Sequence, residues 1–497
     1  MRFRRRVFLF RFFSRLSMAA VALLLTVLMV RVAWGWIAEK RLANLHRRFQ
    51  AQGAQLDFAR FDLPLVAGER TANATVLAAA RSFDPMGFRG LLTFSPYSAP
   101  GAWETSSSEQ EKLQTRRILH ANDHAMALLD DAQTLPQGVW TGPLQVDTGD
   151  GITLEERLRL LSEFLLNAAY IEHQDLNDRE VMRLLSRILV IDRAVVATPS
   201  LSAHTFAMST RARIAALTDG LYATLQVDVP ADPHPGGATP AQVKKFIAQL
   251  ADDRAFHNQL EVLCEFQIYQ VEHFGSPLAD AGSEFIRDGQ GELGSWWFKP
   301  LVADERRREL NQDLFWLPIV RATSYETFRL LPDPTRAFRS NLGLVVLAAS
   351  QRSNYLWLRT IPQHFRALTD DRAAAVLLAA RLAEVLDGTP PLTAEILVPG
   401  VLPDAPIDPF AADERPLRYR LDPLGPTVWS VGSNGVDEGG AMAITLRGGR
   451  SSVDHPDIVY GGAWRAMRLG LYSGAPPGPL GVVTTLPAAT SQKSALP

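Results

Sequence analysis

Between Ser430 and Asp457 the chain gathers hard oxygen donors among tight turns: Ser430, Ser433, Asn434, Asp437, Glu438, Asp454 and Asp457. Donors of this kind suit Ca²⁺, which takes about six to eight oxygens at about 2.3–2.6 Å. Asp437 and Asp457 are the leading carboxylate candidates, with Glu438 and Asp454 in reserve. Ser430 and Asn434, with Ser433 and backbone carbonyls near Val431 and Val436, would complete the shell. Gly432, Gly435, Gly439 and Gly440 let the backbone turn sharply enough to aim those carbonyls inward. The chemistry so predicted is structural, because the free energy of binding a metal becomes free energy of folding. The same residues also spell a set of Asx-turns and a hairpin without metal, and spacing alone leaves both readings open.

Such a site needs a frame. Tight turns and short strands alternate through Pro416–Arg420, Trp429–Gly440 and Asp454–Tyr460, so residues 388–470 are expected to form a small β module. The long stretch before it is helical. Thr153 and Glu156 stand as N-cap and N3 of a helix whose Leu154, Leu158, Leu161 and Leu165 share a face. Asn177 and Glu180 repeat the device ahead of Val181, Leu184, Leu185, Ile188, Ile191 and Val195. Thr239-Pro240-Ala241-Gln242 does so again, with proline at N1, before Val243, Phe246, Ile247 and Leu250. Another amphipathic run covers Phe256–Phe274, and a second helical block spans about Asp304 to Asp387. Its last helix, Asp371–Leu386, stops at Gly388 and Pro390-Pro391. Residues 471–497, rich in Pro, Gly, Ser and Thr, read as a disordered tail.

The N-terminus sets the expected compartment. Arg2, Arg4, Arg5, Arg6, Arg11 and Arg15 form a basic flank over residues 1–15. An apolar run over 16–37 follows, broken only by Arg31, which is expected to reach the headgroups. Trp34 and Trp36 fall where indoles favour an interface, and the basic flank predicts a cytoplasmic N-terminus. A single-pass inner-membrane signal-anchor is the expectation, with the bulk of the chain periplasmic. Small residues at Ala33 and Gly35 keep a cleaved signal peptide as the alternative. The expected fold class is thus mainly α: an N-terminal transmembrane helix, an extracytoplasmic helical region over 38–387 with a break near 275–303, and a small C-terminal β module.

Composition excludes some classes. A net charge of −2 gives no basic field for nucleic acid. The single cysteine, Cys264, forbids an intrachain disulfide and lies in a helical, apolar context. His120 and His124 share a helix face, but no third ligand is evident, so a surface pair is expected. Glu261 and Glu265 share another face and lack the Glu-x-x-His partners of a di-iron centre. No nucleophile elbow, P-loop or dinucleotide fingerprint occurs.

Two resemblances bear on function. Arg70-Thr71-Ala72-Asn73-Ala74-Thr75, with the apolar Val76–Ala80, is similar to the start of a class of uncharacterised membrane-anchored bacterial proteins. Residues 388–460 resemble the C-terminal part of type II secretion major pseudopilins, through Asp408-Pro409-Phe410, Pro416–Tyr419, Ser430–Gly435 and Asp457-Ile458. That family ends in a β region whose last loop holds calcium, so the resemblance implies calcium at this loop. A pseudopilin leader, a glycine before a Phe-Thr-Leu-x-Glu start, does not occur, so pseudopilus assembly through the first helix is not expected. The function read from the sequence is a non-catalytic scaffold or interaction protein, held to the membrane by its first helix and serving an unidentified protein partner. The alternative is an extracytoplasmic hydrolase with its site between helices.

Overall fold

The structure is a computed structural model that describes residues 2–51, 70–85, 107–138, 152–230, 232–273, 291–331, 344–440 and 457–462. It is mostly helical, with one long apolar N-terminal helix and a small antiparallel sheet near the C-terminus. Helix α1 (Arg2–Ala51) is continuous, so the apolar run and the charged segment after it are one rod. Its portion Arg15–Phe49 is long and apolar enough to cross a membrane, a test that a signal sequence also passes. Leu16–Val30 is exposed throughout. Arg31 is buried within the protein, and so are Ala38, Leu45 and Phe49. Spacings of seven and four put these on one stripe, and α10 (Gly291–Val320) is the helix packed along α1.

The remaining helices are α2 (Ala72–Ser82), α3 (Glu109–Ala121), α4 (Asp123–Ala132), α5 (Leu154–Gln174), α6 (Asp178–Val196) and α7 (Leu201–Leu221). They are followed by α8 (Pro240–Ala251), α9 (Arg254–His273), the short α11 (Glu326–Arg329) and α12 (Leu344–Asp387). Their starts follow from local chemistry. Thr153 accepts the Glu156 amide, and Thr239 with Gln242 closes a full capping box before Pro240. Asn177 departs from expectation: its side chain caps nothing and its amide donates to Glu172 Oε2 (2.5 Å). Ser108 and Glu111 form a capping box that the sequence reading missed.

Helices α5, α6 and α7 pack in sequence through short connections, which makes neighbours antiparallel, and α12 lies against α7 and α8. Two apolar cores result. The first joins α2, α4–α8, the last turns of α12 (Ala373–Ala383) and the sheet. The second joins Leu45 and Phe49 of α1 to α9, α10 and the middle of α12 (Trp357, Ile361, Phe365). The cores interleave along the chain, and α12 threads both despite Pro362 within it.

Where they meet, charge is buried. Arg211 on α7 donates through Nε to Asp192 Oδ2 on α6 (2.8 Å) and through Nη1 to Asp371 Oδ2 on α12 (2.6 Å). Both carboxylates are 0% exposed and Arg211 is 3% exposed. The guanidinium also lies 4.2 Å from the Phe256 ring centroid, and that ring stacks on His204 and tilts against His364. Burial pushes Asp371 up to about 7 against the pull of Arg211, and pushes His204 down to about 4.

The sheet is β1 (Arg418–Asp422), β2 (Gly425–Ser430) and β3 (Ile458–Gly461) in that order, all antiparallel. Tyr419 pairs with Val428, and Val428 with Tyr460. The sheet is not a detached module. Leu417, Val428 and Tyr460 enter the first core, while Phe410, Ala411 and Val431 enter the second. Residues 441–456 and the expected tail from 471 lie outside the described residues.

Replacing Arg211 by Leu strands two buried carboxylates, a change that costs about 3–5 kcal/mol. Urea melts of the detergent-solubilised full chain should show that loss, and the triple change Arg211→Met, Asp192→Asn, Asp371→Asn should recover most of it. A single variant as stable as the parent would remove the junction from the account of the fold.

Candidate functional site

The donor-rich turn after β2 is built around an acid that the sequence reading did not weigh as a site residue, Asp408. It is 0% exposed. Its Oδ1 accepts from Ser430 Oγ (2.7 Å) and the Phe410 amide (3.0 Å), and its Oδ2 from the Val431 amide (3.0 Å). Ser430 Oγ in turn accepts the Gly432 amide (3.2 Å). Asp408 thus bolts the end of β2 to the Asp-Pro-Phe turn. Phe410 carries the bolt inward, its ring 4.8 Å from Tyr325 and 6.4 Å from Phe365 of α12. Arg372, also on α12, donates to the Ile407 carbonyl (2.7 Å) and to Asp253 (2.7 Å). An Asx-turn, in which a side-chain oxygen takes the amide two residues on, is the signal that could have revealed Asp408.

The four predicted ligands are not gathered on one centre. Ser430 belongs to the Asp408 bolt. Asp437 is exposed, and each of its oxygens is taken: Oδ1 by Trp429 Nε1 (3.0 Å) and the Gly439 amide (3.0 Å), Oδ2 by Arg418 Nε (3.2 Å). Burial opposes ionisation there, yet the Trp429, Gly439 and Arg418 donors hold its carboxyl below the usual range. Asn434 Oδ1 accepts the Val436 amide (3.0 Å), and Nδ2 donates to Glu438 Oε1 (2.6 Å). The Asn434 carbonyl accepts from Arg329 Nη1 of α11.

Asp457 differs. It is 4% exposed, its Oδ2 accepts the Gly440 amide (2.7 Å), and its Oδ1 has no hydrogen-bond partner among the described residues. Glu438 stands beside it with Oε2 equally buried and without a partner among the described residues. Burial first, then the Glu438 carboxyl, push Asp457 up to about 7. Two facing acids with unsatisfied oxygens can share one proton or take one cation. Gly440 is a positive-φ residue (φ +77°), and its α-carbon approaches the Trp429 ring closely enough that a Cβ would sit 3.3 Å from it. Asp454 lies outside the described residues.

As a calcium site this fits in part. Asp457 and Glu438 each leave one buried oxygen without a partner among the described residues, whereas Asn434, Asp437 and Ser430 are spent on protein donors. Among the described residues no group of three or more His, Cys, Asp or Glu side chains is placed to hold a metal. His120 is exposed and bonds Asp123 Oδ2 (2.6 Å). Glu261 and Glu265 both pair with Arg321. Cys264 is buried, and burial pushes its thiol well up, away from reactivity.

Asp457 keeps a proton in the folded chain that the unfolded chain has already lost. Stability therefore falls as pH rises from about 4 to about 7. Asp371 acts in the same direction over the same window. Asp457→Asn should reduce the slope of unfolding free energy against pH, and adding Asp371→Asn should flatten it further. An unchanged slope in Asp457→Asn would show that the pair does not titrate as described. Separately, Asp408→Ala strands three donors and should cost about 3 kcal/mol or more in a urea melt.

Compared with known protein families, curated proteins and solved structures, the chain finds no match, which leaves its own residues to carry the functional reading.

Proposed function

We propose that the chain is a membrane-anchored, non-catalytic scaffold whose helical body lies outside the cytoplasm and whose C-terminal clasp is stabilised by calcium. The observation that carries the non-catalytic part is where the reactive groups lie. Arg211, Asp192, Asp371, His204 and His364 converge as an active site would require, yet none is more than 3% exposed. A substrate has no path to them, and they serve as the junction between two cores. The basic residues before Leu16 and the exposed apolar surface of Leu16–Val30 support the anchor and its orientation. Docking of α1 on α10 extends the helical body directly from the anchor, a rigid mount suited to presenting a surface to a protein partner.

Calcium would be held by Asp457 and Glu438, with the Asn434 oxygen close at hand, and its role would be to neutralise the facing acids in place of a shared proton. Asp437 and Ser430 would not ligate it; they shape the turn. The pseudopilin resemblance of residues 388–460 supports a calcium loop here, and the buried oxygens of Asp457 and Glu438 that lack a partner among the described residues are where a cation gains most.

Calcium at about 1 mM should raise the melting temperature of the full chain at about pH 8, and the shift should shrink at about pH 5, where protons compete. Asp457→Asn should abolish the shift and Asp437→Ala should leave most of it. No calcium response in the parent chain would end the calcium reading. A reporter fused after Pro497 should score as extracytoplasmic, with the chain in the membrane fraction; a cytoplasmic reporter would overturn the topology.

A further inference from the structure

An open cleft of about 640 Å³ lies between α7, α12 and β3, and neither the junction residues nor the clasp acids line it. Its walls follow from helical spacing. Thr205, Ser209, Ala212 and Ala216 recur every three or four residues along α7, and Arg359, Gln363 and Arg366 do so along α12. Small residues on one helix and long polar ones on the other leave a gap that neither fills. Val459 and Tyr460 of β3 close the end.

The lining sorts into spent acceptors and available donors. Asp370 Oδ1 accepts from Arg366 Nε (2.8 Å) and from the Tyr460 hydroxyl (2.5 Å). Asp219 Oδ1 accepts the Gly461 amide (2.7 Å). Gly461 has φ +82°, and a Cβ there would lie 2.2 Å from the Pro426 carbonyl, so backbone alone can make that contact. By contrast, Arg359, Gln363 and Ser209 are exposed, and among the described residues no carboxylate pairs with Arg359. The floor beneath them is apolar, built from Met208, Ala215 and Ala367.

We propose that this cleft binds a small organic carboxylate: an anionic head on Arg359 and Gln363, and a short apolar body over the alanine floor. The planar guanidinium fork matches a carboxylate with two parallel N–H···O bonds. The volume lies within the range of about 300–1,000 Å³ typical of small-molecule sites, and an apolar lining with a few placed polar groups is their usual make-up. Charge selects further. Two arginines and two aspartates line the cleft, so a monoanion meets a local cation while a dianion meets Asp219 and Asp370 as well. An amine would find both carboxylates already engaged by protein donors.

The test uses the full chain in nanodiscs of zwitterionic lipid, titrated calorimetrically with octanoate, octylamine and octyl phosphate. Octanoate should bind in preference to both others. Arg359→Gln, a change at an exposed side chain, should weaken octanoate by about tenfold or more, the loss expected for a charge-assisted pair. Ala216→Trp, which fills the cleft from α7, should abolish binding with the thermal melt unchanged. No octanoate binding by the parent, equal octanoate affinity in parent and Arg359→Gln, or octylamine binding as tightly as octanoate would each overturn the proposal.

Discussion

The contact between Arg211 and its two aspartates is the constraint on which the other packing depends. It ties α6, α7 and α12 at one point, and that point is where the two apolar cores meet. A buried guanidinium is costly to desolvate and is tolerated only with its partners in place. The partners lie 19 and 160 residues away in sequence, so the triad forms only when the long-range fold has formed. Apolar faces alone admit several ways of sliding α12 along α7. A charge that must find Asp371 admits one.

Fixing α12 fixes the C-terminal sheet in turn. Arg372, one residue beyond Asp371, holds the Ile407 carbonyl, and Phe365 packs on Phe410. Asp408 lies between those two contacts and binds the end of β2. The sheet has three short strands, which need an apolar face to pack on, and both of its flanks are inserted into the helical cores. Asp457 is buried in that insertion, and its burial, with the Glu438 carboxyl beside it, pushes it above an ordinary carboxyl.

Much of this was legible in the sequence, and the failures have physical reasons. The leucine stripe of α5 and the capping box at Thr239 were readable because helix periodicity and caps are local. A small sheet near the C-terminus was readable from the short runs around Arg418-Tyr419 and Ile458–Tyr460, whereas the bounds of β2 (Gly425–Ser430) were not. The burial of Arg31 left no mark in the sequence, because a long-range packing contact has no local signature. Among the candidate ligands, residue type pointed to Asp437 and Asp457 equally. What separates them is the company each keeps: Arg418 and Trp429 satisfy the first, while Glu438 confronts the second. Neither the Arg211 junction nor the α7–α12 cleft leaves a local mark, since each is made by residues that meet only in the folded chain.

Clasp and cleft share one short strand. β3 begins beside Asp457, whose Oδ2 holds the Gly440 amide, and ends at Gly461, whose amide is held by Asp219 of α7. Tyr460 lies between, its hydroxyl on Asp370 and its ring under Arg366. A slip of one residue in β3 would turn Tyr460 out of the core, because side chains alternate across a strand. Anything that satisfies Asp457, whether a shared proton or a cation, therefore secures the register that keeps the cleft wall in place. The acids of the clasp and the arginines of the cleft are separate in chemistry, but a four-residue strand makes the geometry of one a condition for the other.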